Sequence, residues 1–254
     1  MCLVLITPTG ARKDQFELCG RWMRNQTYAG DVLWIIVDDA IPLTTDTVPA
    51  DFRENWTIIK IYPKPRWIRQ NTQGRNIRAG IDTMKASVDL KNVKGIFIIE
   101  DDDYYKPGYL ERMMQTKQNY WAWGETNTIY YNVVYRNYVV NPNRHHASLF
   151  QTAFTTDALP HFENNLQHKF IDAGFWAHAP NKFLFFDNYL SVGMKGMPGR
   201  GGIGAGHKWV NNMHSDIGMR YLTKIIGEND RKQYERYYGD GRVPQYDILT
   251  RKRT

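Results

Sequence analysis

Hydrophobic positions in the first hundred residues follow two alternating patterns. Short runs rich in β-branched residues recur at 3–6 (LVLI), 32–37 (VLWIIV), 57–61 (TIIKI) and 96–99 (IFII). Runs of this length and composition predict strands of a mostly parallel sheet, covered on both faces. Between them the spacing becomes helical. Phe16, Cys19 and Met23 share one face of a segment that Asp14 and Glu17 open as a capping-box-like pair. Ile77, Ile81, Met84 and Val88 form the apolar stripe of a second helix. Strands separated by helices predict an open α/β sheet with its ligands at the carboxyl ends of the strands.

The second half is patterned differently. Residues 128–140 are rich in Tyr and Val and read as extended or hairpin structure. Helices are predicted at 170–178 and 216–226, and a strand at 183–186. Seven of the fourteen residues at 193–206 are glycine, which predicts a functional or flexible loop. With no internal repeat and no long linker, residues 1–254 are expected to form one composite domain. Residues 1–110 would be its nucleotide-binding half, and 111–254 a mixed α/β half that shapes the acceptor site.

Composition narrows the class. Hydrophobic residues make up 42% and charged residues 23%, which excludes a disordered chain. The apolar runs are far shorter than the ~18 residues of a membrane span. The start, MCLVLITPTG, lacks the basic region and cleavage site of a signal peptide. Two cysteines, Cys2 and Cys19, are too few for a disulfide scaffold, so a reducing, cytoplasmic setting is expected, that of the host if the protein is viral. The net charge of +7 favours anionic partners. It is concentrated between Lys60 and Lys85, where seven basic residues face Asp82 alone, and again in Arg251, Lys252 and Arg253.

The segment GIFIIEDDDYY at 95–105 carries the most chemistry. Glu100, Asp101, Asp102 and Asp103 follow a buried strand, where they repel one another unless a cation or hydrogen-bond donors offset the charge. Carboxylate oxygens are hard ligands for Mg²⁺ or Mn²⁺, which usually bridge a protein to substrate phosphates. The alternative use is to cap a helix beginning near Pro107, but four acids in a row exceed what a cap requires.

A strand followed by Glu-Asp-Asp, after two or three strand–helix units, resembles the metal motif of GT-A-fold glycosyltransferases. The resemblance implies a nucleotide-sugar donor of the UDP- or GDP-sugar class, with Mn²⁺ or Mg²⁺ held against its diphosphate. It implies that Asp102 is a metal ligand and that Asp101 meets the ribose or a metal-bound water. Glu100 would instead orient a basic residue. Pro8, Thr9 and Arg12, in the TPTGAR segment after the first strand, would cradle base and phosphate. Asp38 and Asp39, at the end of the second strand, would contact the base. Arg75, in GRNIRAG at the helix start, would lie beside the nucleotide.

In the second half, FIDAGFW at 170–176 resembles the acceptor-side acidic segment of inverting members. Asp172 would there deprotonate the acceptor hydroxyl, beside an aromatic pair, Phe175 and Trp176, that packs on a sugar. Ile171 stands where the usual first acid would be, and Glu125 is the reserve base. His207, closing the glycine loop, would be a further metal ligand, with Lys195 and Arg200 as diphosphate donors. Two decoys are set aside. Gly199, Gly201 and Gly204 spell a dinucleotide fingerprint without its βαβ setting, and a P-loop spacing that ends at His207 lacks its lysine.

The leading expectation is therefore a metal-dependent glycosyltransferase acting on a hydroxyl acceptor. One acceptor class is a hydroxymethylated pyrimidine in DNA, read by Trp and Tyr residues around 120–138. The other is a surface glycan or lipid precursor. A sugar-nucleotidyltransferase is the alternative enzyme. A nucleic-acid-binding protein is the non-enzymatic alternative, and the acidic cluster would repel its phosphates.

Overall fold

The computed structural model describes residues 1–41, 43, 48, 52–66, 71–141, 145–199 and 213–237. The first half alternates as its hydrophobic pattern requires. Strands β1 (Cys2–Thr9), β2 (Val32–Asp38), β3 (Trp56–Ile61) and β4 (Val93–Ile98) are joined by α1 (Lys13–Arg24) after β1 and α2 (Gln73–Ser87) before β4. The remaining elements are β5 (Tyr104–Tyr105), α3 (Tyr109–Thr116), β6 (Ala122–Glu125), β7 (Thr128–Asn132), β8 (Asn137–Asn141), β9 (Thr152–Phe154), α4 (Leu159–Glu163) and α5 (Ile171–His178). They are followed by β10 (Lys182–Phe185), β11 (Ser191–Lys195), β12 (His214–Ser215), α6 (Arg220–Ile226) and α7 (Glu228–Arg231).

The main sheet has the order β10-β6-β9-β4-β1-β2-β3. β1 is central, parallel to β2 and β4, and β2 is parallel to β3. β9 runs antiparallel to both neighbours, β4 and β6. Alternate side chains fill opposite faces. Leu3 and Leu5 join Phe16, Trp22 and Trp34 on the α1 face, while Val4 and Ile6 join Ile77, Ile81 and Met84 on the α2 face. The fold is a mostly parallel sheet flanked by helices on both sides.

A second sheet, ordered β12-β8-β7-β11-β5, starts where β4 ends. β5 follows the acidic cluster directly and pairs antiparallel with β11, which pairs in parallel with β7. The 100–103 turn is thus held between the two sheets. No helix among the described residues is long and apolar enough to cross a membrane.

Several local expectations are corrected. α1 is preceded by Arg12, which makes no side-chain cap, so Asp14 and Glu17 form no capping box and Asp14 sits in the first turn. The C-terminal helix expected from 216 begins only at Arg220, because Met219 is left-handed (φ 54°) and Asp216 caps the turn, accepting from Tyr221 N (3.0 Å) and Leu222 N (3.1 Å). Residues 193–195 of the expected glycine loop are strand, and 200–206 lie outside the described residues. The hairpin read from 128–140 is present as β7 and β8.

Gly74, in the first turn of α2, meets the chain between α4 and α5. A Cβ there would lie 1.9 Å from the Leu166 carbonyl oxygen. Gly74→Ala must push these backbones apart, at an expected cost of about 1–3 kcal/mol, measured by chemical unfolding. An unchanged midpoint would show that the two segments do not pack this closely.

Candidate functional site

The carboxyl ends of β1, β2 and β4 deliver the charged groups to one place. Asp101 is buried, and Thr9 Oγ1 donates to its Oδ2 at 2.6 Å. The Arg12 guanidinium bridges two acids, at 2.6 Å from Asp101 Oδ1 and 3.2 Å from Asp102 Oδ2. Burial opposes the charge on Arg12, but Asp101 and Asp102 outweigh it and hold the guanidinium firmly protonated. Lys195, at the end of β11, is buried against Asp103 at 3.1 Å, and Met194 N donates to the same carboxylate oxygen at 3.0 Å. Thr9, Arg12 and Lys195, expected at the nucleotide, are thus turned toward the acidic cluster.

Glu100 differs from its neighbours. It is partly buried and accepts from Gln73 Nε2 at 2.5 Å. Burial pushes its carboxyl up to about 7, and Asp102 adds to the shift, while Lys195 and Arg12 oppose it. The charge of Asp172, in the first turn of α5, also raises Glu100. Asp172 is partly buried and its Oδ1 accepts from Ala173 N at 2.9 Å.

A second constellation closes the end of β2. Asp39 is buried, and its Oδ2 accepts from Thr72 Oγ1 (2.6 Å), Asn76 Nδ2 (2.9 Å) and Arg75 Nη2 (3.1 Å). Asp38, also buried, folds back so that its Oδ1 accepts from Ala40 N at 3.0 Å. Pro8 and Thr9 are the last residues of β1, paired with Val37 and Asp38. Thr72, Gln73 and Asn76 were missed as site residues. A polar run at a helix start, opposite an acidic strand end, is the signal that marks them.

Other expected residues lie elsewhere. Phe175 and Trp176 are core residues, and Trp176 Nε1 donates to Thr152 Oγ1 at 2.9 Å, so neither offers a face to a sugar. The exposed aromatic near Asp172 is Phe170. In the aromatic stretch expected to receive a flipped base, Trp123 and Tyr131 are fully buried, whereas Trp121 and Tyr135 are exposed. His207 and Arg200 lie outside the described residues, as do Arg251, Lys252 and Arg253. In the basic stretch, Arg75 pairs with Asp39, and Arg78 and Lys85 both pair with Glu163.

Glu125 is sealed inside the protein. Leu190 N donates to its carboxylate at 3.0 Å and Gln151 Nε2 at 3.3 Å, so it anchors the chain entering β11 and has no route to an acceptor. Burial pushes its carboxyl up to about 7. An acid protonated in the folded state and ionised in the unfolded chain makes stability fall as pH rises. Its contribution is complete below the ordinary value of 4.5 and is lost as pH climbs through about 7, in total roughly 3 kcal/mol. Glu125→Gln should flatten this part of the profile in unfolding measurements from pH 4 to 8. Parallel curves for both proteins would contradict the assignment.

The cluster's chemistry suits a hard divalent cation. Among the described residues no three His, Cys, Asp or Glu side chains are grouped so as to hold a metal ion. A site with fewer protein ligands would need substrate phosphates to complete the metal's shell. Arg12 and Lys195 already pair with Asp101, Asp102 and Asp103, so part of the cluster's charge is balanced within the protein. Within the cluster, Asp102 is the residue that would hold the cation.

Scans against models of protein families and against curated protein sequences return no match. Solved structures do match. TarS 1–349 of S. aureus in complex with UDP-GlcNAc is similar at 12% identity and a TM-score of 0.55, over 83% of this chain and 62% of that one. The mannosyltransferase PcManGT of Pyrobaculum calidifontis, in complex with GDP-Man and Mn²⁺, is similar at 12% identity and 0.51, over 77% and 57%. A second TarS 1–349 structure matches at 10% identity and 0.51, over 76% and 60%. The chain spans about three fifths of the length of these proteins. The fold is the one these GT-A-type structures share.

Proposed function

We propose that this protein is a metal-dependent glycosyltransferase that moves a sugar from a UDP- or GDP-sugar to a hydroxyl acceptor. One observation carries the reading: consecutive carboxylates close the carboxyl end of β4, with Asp101 buried against Thr9 and Arg12, while a separate carboxylate, Asp172, opens α5 near enough for its charge to reach Glu100. Group transfer needs this separation of roles, with diphosphate charge managed on one side of the sugar and a base on the other. The neighbours bind UDP-GlcNAc or GDP-Man on the same fold, which supports the donor class.

Asp102 would hold Mn²⁺ or Mg²⁺, whose charge neutralises a departing diphosphate. Arg12 fixes the Asp102 carboxylate, and Thr9 and Arg12 fix Asp101, so the turn is set before any ligand arrives. Asp39 with Arg75, Thr72 and Asn76 forms a polar wall at the β2 end, suited to a nucleoside. Asp172 accepts the acceptor's proton. His207 and Arg200 complete the proposal as a further metal ligand and a diphosphate donor.

For the acceptor, a saccharide hydroxyl is favoured over a base in DNA. Arg75, Arg78 and Lys85 are consumed in intramolecular ion pairs, which lowers the charge available to a polyanion. The test offers hydroxymethylated DNA, plain DNA and simple saccharides with UDP- and GDP-sugars, then resolves the products by mass. Transfer to a saccharide with release of nucleoside diphosphate is expected. A mass gain on hydroxymethylated nucleosides would establish the DNA acceptor, and release of pyrophosphate would identify a nucleotidyltransferase.

A further inference from the structure

Beside Lys195, which pairs with Asp103 in the acidic turn, stands a side chain that the reading above leaves unused. Tyr130 lies in the middle of β7, with Ile129 and Tyr131 on the opposite, core-facing side. Its partner in register on β11 is Gly193, where a Cβ would stand 2.5 Å from Tyr130 Cδ1. Glycine at this position lets the tyrosine ring lie across the neighbouring strand. The ring is fixed at both ends. Its hydroxyl is 2.9 Å from Ser148 Oγ, and Lys195 Nζ sits 5.5 Å from the ring centroid while pairing with Asp103 at 3.1 Å.

Behind Ser148 the polar groups continue inward. Ser148 Oγ is 3.1 Å from Thr128 Oγ1, which donates to Gln151 Oε1 at 2.5 Å, and Gln151 holds Glu125. This chain locks the phenol in one rotamer, as a recognition group requires. The phenol also stays neutral. Burial pushes its pKa up to about 12, and Asp172 and Asp103 act in the same direction, against Ser148 and Lys195. A neutral phenol can both donate and accept, which matches a sugar hydroxyl.

We infer that the Tyr130 hydroxyl, held by Ser148, hydrogen-bonds the sugar being transferred and so contributes to donor recognition. The inference rests on the proposed function, because the sugar must then sit between the diphosphate at the acidic turn and the base Asp172. Tyr130 lies against Lys195, the partner of Asp103 in the acidic turn, and the charge of Asp172 also reaches its phenol.

The test is Tyr130→Phe, which keeps the ring against Gly193 and removes only the hydroxyl. Calorimetric titration with UDP-GlcNAc, GDP-mannose, UDP and GDP, each with Mn²⁺, compares it with the wild type. Affinity for the nucleotide sugar that the wild type binds should fall about tenfold, the effect of one lost hydrogen bond in a buried site. Affinity for the corresponding nucleoside diphosphate should stay within about twofold, and Ser148→Ala should give a smaller loss of the same selective kind. Equal loss for sugar-bearing and sugar-free nucleotides would make Tyr130 structural, and no loss for either would overturn the contact. A wild type that binds nucleoside diphosphates but no nucleotide sugar would remove the functional reading itself.

Discussion

Asp102→Ala is expected to lower turnover about 10²–10³-fold while leaving the fold intact. The carboxylate sits at the outer side of the acidic turn, and its loss leaves Arg12 paired with Asp101 at 2.6 Å, so the β1–α1 connection keeps its anchor. What disappears is an oxygen ligand at the point where diphosphate charge must be stabilised, and electrostatic stabilisation of this type carries factors of about 10²–10³ for single groups. Excess chelator should silence the wild type to the same degree, and added Mn²⁺ should restore it. Full activity in chelator, or a variant that turns over normally, would refute the role of Asp102.

Asp172→Asn is expected to lower kcat by about 10²–10⁴, the usual contribution of a general base. Donor affinity should barely change, because the residue is placed on the acceptor side of the sugar. Asparagine can still accept from Ala173 N, so the first turn of α5 is preserved. A parallel loss of donor binding would make Asp172 part of the donor site. Near-normal turnover would exclude it as base, and Glu125 could not replace it, being buried and bound to Leu190 N.

The first half of the fold was legible because its signals are local. Strands of six to eight residues and the 15-residue helix α2 repeat one pattern long enough to be unambiguous. The strands after β4 are only two to five residues long, such as β5, β9 and β12, and their identity depends on their partners. β9 reads as a strand only because it fits antiparallel between β4 and β6. The site divides the same way. Four consecutive acids announce themselves, whereas Thr9 meets Asp101 across 92 residues of sequence, and no local pattern records the pairing. The aromatic pair at 175–176 was misplaced for a physical reason: in an eight-residue helix against the sheet, both rings turn into the core and Phe170, just before it, is left outside.

Titration of the wild-type protein with a panel of nucleotide sugars, with and without Mn²⁺, tests the central claim most directly. The account predicts saturable, Mn²⁺-dependent binding of one UDP- or GDP-sugar, lost in Asp102→Ala and retained in Asp172→Asn. Absence of binding across the panel, or binding indifferent to both Mn²⁺ and Asp102, would contradict it.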